Sequence, residues 1–161
     1  MKYSVAPEPW DTDDGARLRG MQRAELDARY GSDDHEPGSA PTAEDISLFV
    51  VAREVQGTAV AREVQGTAVA CGALRQLDAD SAEIKRMFVL PSHRGTGVAL
   101  AVFRSLEAEA VRLGLSVLKL ETGTAQPDAI RFYEREGYTR IDNFGPYAGE
   151  PLSVCYARSL T

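Results

Sequence analysis

The chain reads as an α/β fold of the α+β type, a mixed sheet with helices on its faces, in the order β-α-β-β-β-α-β-α-β-β. Three observations predict it. Short apolar runs bounded by Gly and Pro recur along the chain, as strands do. Between them lie stretches with apolar residues at helical spacing. The stretch Arg86–Leu100 then passes from an apolar strand through a Pro break and a glycine loop into the first turn of a helix. With 161 residues, 43% hydrophobic and 26% charged, the whole chain, 1–161, suits one domain with a sizeable core.

Taken in order, Lys2–Ala6 is a strand stopped by Pro7 and Pro9. Asp11 or Thr12 can cap a helix whose start Asp13 and Asp14 favour through the helix dipole. Leu18, Met21, Ala24 and Ala28 share a face, so this helix runs to about Tyr30. Gly31–Pro41 is a loop, Thr42–Asp45 can form a brief helical turn, and Ile46–Arg53 is a strand apolar enough to be covered on both faces. Thr67–Leu74 leads towards a long strand, Ala82–Leu90, on which strict alternation puts Glu83, Lys85, Met87 and Val89 on one face. A helix over Gly97–Leu113 carries a core stripe of Ala99, Val102, Phe103, Leu106, Ala110 and Leu113, stopped by Gly114. Leu115–Glu121 is a strand, and Pro127 opens a helix through Glu136. Tyr138–Ile141 and Leu152–Ala157 close the sheet.

Between the second and third strands the segment Val51–Ala59 is repeated identically as Val60–Ala68. Solenoid repeats are longer and recur more often, so a duplication at a hairpin tip is the simpler account. Absorbing an odd number of residues inside a strand would flip every side chain and bury Arg62 and Glu63 where Cys71 and Gly72 belong. The extra copy is therefore expected to protrude as a longer loop without a function of its own.

The totals exclude several classes. A net charge of −6 argues against a general nucleic-acid partner and mildly favours a cationic acceptor. Cys71 and Cys155 sit in apolar runs without metal spacing and read as buried thiols, so no metal is expected. No stretch is long enough to span a bilayer and Met1–Val5 is not a signal-peptide core, which makes the cytoplasm the default location.

The loop Arg94-Gly95-Thr96-Gly97-Val98-Ala99 lacks the Gly-Lys-Ser/Thr of a P-loop and the third glycine, at Leu100, of a dinucleotide fingerprint. By itself it is either a phosphate cradle of backbone N–H groups or an ordinary strand-to-helix turn. A second motif adds to it: Ala129-Ile130-Arg131-Phe132-Tyr133-Glu134-Arg135-Glu136-Gly137-Tyr138, one helix and one strand downstream. Arg94-x-x-Gly97-x-Ala99 together with this segment resembles the cofactor motifs of the GNAT N-acetyltransferase superfamily. The motifs cover Ala82–Tyr138, and the element order extends the likeness to nearly the whole chain.

The resemblance implies a mostly antiparallel sheet with helices on both faces, and acetyl-CoA as co-substrate. Met87 and Val89 would offer backbone groups to the pantetheine arm, with Phe88 between them among the cofactor contacts. Gly95, Gly97, Val98 and Ala99 would give N–H groups to the pyrophosphate, with Arg94 and Thr96 at the loop's edge. A Cβ at either glycine would obstruct the phosphate. Gln126 stands where the superfamily usually has Asn, a longer amide in the same place. Tyr133 is the candidate acid, since a tetrahedral intermediate collapses by expelling a thiolate that a nearby phenol can protonate. Glu83 is the candidate base that relieves an amine of its proton, Glu121 the runner-up, and a water chain a further route. His35 and His93 read as incidental or solvated.

The function these readings imply is transfer of an acetyl group from acetyl-CoA to a primary amine of a small molecule or peptide, by direct attack. The alternative is a catalytically silent acetyl-CoA-binding sensor or interaction module. Tyr30–Pro41 and Phe144–Tyr147 are where an acceptor pocket would be lined, and the exposed C-terminal strands offer a route to a homodimer.

Overall fold

The computed structural model describes residues 2–55 and 66–161. Its strands are β1 (Lys2–Pro7), β2 (Leu48–Val55), β3 (Ala68–Gln76), β4 (Ser81–Val89), β5 (Val117–Gly123), β6 (Thr139–Ile141) and β7 (Ser153–Ser159). Its α-helices are α1 (Asp13–Tyr30), α2 (Val98–Arg112) and α3 (Pro127–Arg135). The element order is the one the sequence predicts. The strands form one sheet in the order β1-β2-β3-β4-β5-β7-β6, in which β4 and β5 are the parallel pair and every other pairing is antiparallel. The duplicated segment falls largely on residues 56–65, so its expected protrusion lies outside the described residues.

Local chemistry accounts for the helix ends. The Thr12 hydroxyl accepts from the Gly15 N–H at 3.2 Å, and Gly31, at φ 70°, closes α1 in the left-handed region. Pro127 opens α3, where its missing N–H costs nothing. Two cores flank the sheet. On one face Val98, Val102, Phe103, Leu106 and Ala110 of α2 pack with Ile84, Leu118, Leu120, Tyr133 and Tyr138. On the other, Leu18 of α1 packs with Phe49, Val51, Cys71, Ala73 and Phe88. Each of the buried Val, Leu, Ile and Phe side chains among them contributes roughly 1.5–3 kcal/mol. Phe103 contacts Phe132, Tyr133 and Tyr138 edge-on or tilted, at 5.2–5.7 Å between centroids, which fixes α3 against α2.

One irregularity overturns a sequence expectation. Cys71 pairs with Phe88 but Ala73 pairs with Lys85, so Gly72 alone stands opposite both Arg86 and Met87. Arg86 has φ 57°, and this β-bulge inverts the alternation of β4. Glu83 and Lys85 therefore face α1, whereas Met87 and Val89 turn to the α2 core. The four residues do not share a face, as unbroken alternation had suggested. Gly72 permits the bulge, because a Cβ there would lie 2.7 Å from Met87 Sδ and 2.8 Å from Val102 Cγ1.

Candidate active site

The pairing of β4 with β5 ends at Ile84↔Leu120, and beyond that point the sheet supplies no further rungs between them. Two adjoining cavities occupy this region. The larger, about 570 Å³, runs from the loop His93–Leu100 past β4 to α3. The smaller, about 90 Å³, lies on the α1 side and is walled by Tyr30, Glu36, Lys85, Arg86 and Glu121 among others. Gln22, Leu26, Met87, Gln126 and Tyr133 line both, so the cavities meet at Tyr133.

At the far end of the larger cavity, Gly95 and Gly97 adopt φ 76° and 89°, and no atom lies within 4 Å of where a Cβ would stand on either. Those conformations are cheap for glycine alone. Gly97 caps α2 without a side-chain hydrogen bond, and the first helical bond runs from Ala101 N–H to the Gly97 carbonyl. The N–H groups of Val98, Ala99 and Leu100 are thus left without helical partners beside the open loop, an anion-binding arrangement. A phosphate-bearing ligand fits this cradle, and the cavity leading from it to Tyr133 fits an extended arm.

The remaining residues singled out for a cofactor divide. Met87, Phe88, Val89, Arg94, Gly95, Gly97, Val98, Ala99 and Gln126 all line the larger cavity. Thr96 turns away, its hydroxyl donating to the His93 carbonyl at 2.6 Å and accepting from Tyr3 at 3.0 Å. Two β4 carbonyls expected to face the cofactor are held by side chains. Gln22 Nε2 donates to Met87 O at 2.8 Å and Arg94 Nε to Val89 O at 3.0 Å. Arg94 also pairs with Glu25 at 2.7 Å, spanning the cavity mouth from the loop to α1.

Tyr133 is 9% exposed, and its hydroxyl has no hydrogen-bond partner among the described residues. Burial, and secondarily the charge of Glu121, push its pKa up to about 12, so it remains a loaded O–H donor throughout the physiological range. A donor this weakly acidic can hydrogen-bond a developing thiolate before it surrenders the proton.

The two candidate carboxylates sit differently. Glu83 is 3% exposed and absent from the walls of both cavities. Its Oε2 accepts from the Tyr147 hydroxyl at 2.5 Å and lies 3.7 Å from Lys85 Nζ. Lys85 also donates to Tyr147 Oη at 2.8 Å and to Glu36 at 3.3 Å, and Arg86 reaches Glu36 at 2.8 Å. Burial alone would raise the Glu36 pKa, but Arg86 and Lys85 together hold it below its ordinary value. Glu121 lies on the smaller cavity's wall and accepts from the Ser153 hydroxyl at 2.7 Å. Burial raises its pKa, and the charges of Glu36 and Glu83 add to that against the opposing Ser153 bond and Lys85. Glu121 lines the smaller cavity, which Tyr133 joins to the larger, while Glu83 stands behind the wall.

Of the expectation that the histidines are incidental or solvated, the solvated alternative fails for both. His35, whose side chain is 4% exposed, bonds Asp27 at 2.6 Å, and His93 bonds Glu54 at 3.0 Å. Both cysteines are buried, and burial raises Cys71 to about 12. Among the described residues no helix is long and apolar enough to cross a membrane, and no group of three or more His, Cys, Asp or Glu could hold a metal. Gln22 reaches both cavities from a helix with no motif of its own, and Glu36 lines the smaller one from the loop Tyr30–Pro41, whose hint was positional. Tyr30 carried only the positional hint of its place at the start of a loop.

Comparison with known proteins agrees with this geometry. The profile of the acetyltransferase (GNAT) family matches residues 18–138. An IAA acetyltransferase of Azospirillum brasilense is 40% identical over 91 residues, covering 56% of this chain and 60% of that protein, so the match spans less than two thirds of the relative. A Klebsiella pneumoniae structure described as an acyl-CoA N-acyltransferase is 30% identical, with a TM-score of 0.77 over 99% of this chain and 98% of its own. A GNAT acetyltransferase from Elizabethkingia anophelis, solved with acetyl-CoA bound, is 14% identical and shares the fold, with a TM-score of 0.66 over 98% and 97% of the two chains.

Proposed function

The chain belongs to the GNAT family of acetyltransferases, and on that premise we propose that it transfers an acetyl group from acetyl-CoA to a primary amine by direct attack. The observation that carries the reading is the junction itself: the cavity that begins at the glycine cradle meets a second, carboxylate-walled cavity at the unpartnered Tyr133 hydroxyl. Acetyl-CoA supplies the acetyl thioester. Gly95, Gly97, Val98 and Ala99 would hold its pyrophosphate, and Met87 and Val89 its pantetheine arm once Gln22 and Arg94 yield their carbonyls. Phe88, Arg94 and Gln126 line the same path, and Thr96 steadies the loop from behind.

In the transfer the amine gives up one proton, its N–C bond forms, the C–S bond breaks and the sulfur takes a hydrogen bond or proton from Tyr133. Glu121 is the better-supported receiver of the amine's proton, because it lines the acceptor cavity and its pKa is raised towards the working range. Glu83 then acts as a positioning residue: through Tyr147 and Lys85 it braces the wall on which Glu36 and Arg86 stand. Direct attack is favoured over an acyl-enzyme because both cysteines are buried and their thiolates disfavoured. The acceptor is a small-molecule or peptide amine, and neither nucleic acid nor a membrane is part of the reading.

The test is turnover of acetyl-CoA against pooled amines, read by the mass of the product. We expect one acetylated amine for each CoA released. Saturable acetyl-CoA binding with no acetylated product from a broad panel would instead identify a silent binding module.

A further inference from the structure

The side chain that holds Glu121 comes from the last strand. Leu118 and Leu120 of β5 belong to the α2 core, so by alternation Glu121 and Gly123 face the α1 side. In the β5–β7 ladder Glu121 stands opposite Cys155, and Gly123 opposite Ser153. Gly123 offers Ser153 no side chain to meet. The Ser153 hydroxyl turns instead to its diagonal neighbour and donates to Glu121 Oε2 at 2.7 Å. Glu121 Oε1 has no hydrogen bond among the described residues and is not one of their buried unpartnered atoms, which leaves it reachable from solvent.

Ser153 is itself held. It is buried, lines neither cavity, and its N–H donates to the Glu150 carbonyl at 3.2 Å. Its carbonyl accepts from Asn143 Nδ2 at 3.1 Å, and the same amide reaches the Tyr147 and Glu150 carbonyls at 3.1 and 3.3 Å. Tyr147 is locked in turn by Glu83 and Lys85. A serine so fixed presents its O–H in one direction, and the carboxylate that accepts it has one oxygen pinned and one free. Burial disfavours the ionised Glu121, and the Ser153 bond works against burial. Lys85 acts with Ser153, whereas Glu36 and Glu83 act with burial. Tyr133, Tyr147 and Cys155 also feel the Glu121 charge, and Tyr30, His35 and Arg86 share its cavity wall.

We propose that Ser153 is a positioning residue of the acetyl transfer: it pins one oxygen of Glu121 and leaves the other to take the amine's proton. The assignment rests on Glu121 as the base of the acetyltransferase reading and deepens it. Without this bond the carboxylate loses its fixed orientation and keeps its proton to higher pH, at a cost in rate near neutrality.

Ser153→Ala tests it on the full chain, with Glu121→Gln and the double variant as controls. The carboxyl carbon NMR signal of Glu121, assigned by its loss in Glu121→Gln, is titrated directly. Initial rates of acetylation of a broad amine pool are read by product mass over the same pH range. In Ser153→Ala the Glu121 midpoint should move to higher pH. The rate at pH 7 should fall about tenfold and recover towards the parent's as pH rises. Acetyl-CoA affinity should not change, and Ser153→Ala in the Glu121→Gln background should alter the rate by less than about twofold. An unmoved midpoint, a loss equal at every pH, or an equal loss in the Glu121→Gln background overturns the assignment, since a merely structural serine gives these results. A parent rate and pH profile in Glu121→Gln overturn the base reading instead, and a displaced Glu121 midpoint in Ser153→Ala tells that failure from the first.

Discussion

Replacing Glu121 with Gln separates its chemistry from its cost. The amide keeps the length and shape of the side chain and can still accept from the Ser153 hydroxyl, now at 2.7 Å from the carboxylate. It removes the charge. That charge is disfavoured first by burial and then by Glu36 and Glu83, so the folded pKa is raised above the unfolded one. The folded state then holds the Glu121 proton more tightly than the unfolded chain does. The resulting stabilisation is complete below the ordinary carboxylate pKa and disappears as pH rises through the folded value; at neutral pH the ionised group is a net cost. Glu121→Gln should therefore be more stable than the parent at pH 7, read as a higher Tm. If Glu121 is the base, the same variant should lose roughly 10²–10⁴-fold in kcat/KM. The parent rate should climb with pH through a carboxylate pKa above its usual range, and the variant should lack that limb. Initial rates from pH 5 to about 9 and thermal melts at each end measure both effects. Unchanged kcat/KM with an unchanged pH profile would return the base to Glu83 or to water, and a lower Tm at pH 7 would refute the burial argument.

Tyr133→Phe should lower kcat by about 10²-fold or more while acetyl-CoA affinity stays nearly constant, as the lost hydroxyl has no hydrogen-bond partner among the described residues; equal turnover removes it from the mechanism. Gly97→Ala should cost about 1–2 kcal/mol of stability, because its φ of 89° strains any side chain although the space around it is open. Its acetyl-CoA affinity should fall further than stability does, measured by calorimetry on the folded variant, because the methyl group would stand in the proposed phosphate site. Excising one nine-residue copy gives the same protein whether Val51–Ala59 or Val60–Ala68 is removed. Activity should be unchanged and stability should rise by less than about 1 kcal/mol from the shorter loop, whereas a large gain in rate would mark the extra copy as harmful.

Much of this was legible along the chain. Gly95 and Gly97 marked the loop in advance, because only glycine adopts the left-handed angles found there without strain. Pro127, Gly114 and Thr12 terminate their helices through interactions within a few residues, so the boundaries were readable to within a residue or two. The carboxylate roles were not readable in that way. Placing Glu83 beside Met87 assumed an unbroken two-residue alternation, and nothing between Ser81 and Val89 announces a break in it.

Sequence alone determined the order of elements, a glycine loop ahead of α2 and the position of Tyr133 on the next helix, since each depends on local propensity and spacing. The tertiary structure decided what those parts face. One extra residue at Arg86–Met87 inverts the pleat of β4, because side chains alternate with a period of two and Gly72 leaves room on the opposite strand. That inversion sends Met87 into the α2 core and leaves Glu83 behind Tyr147. It also falls to packing between distant segments that Tyr30 lies over Gly123, a contact across more than ninety positions that neither residue encodes by itself.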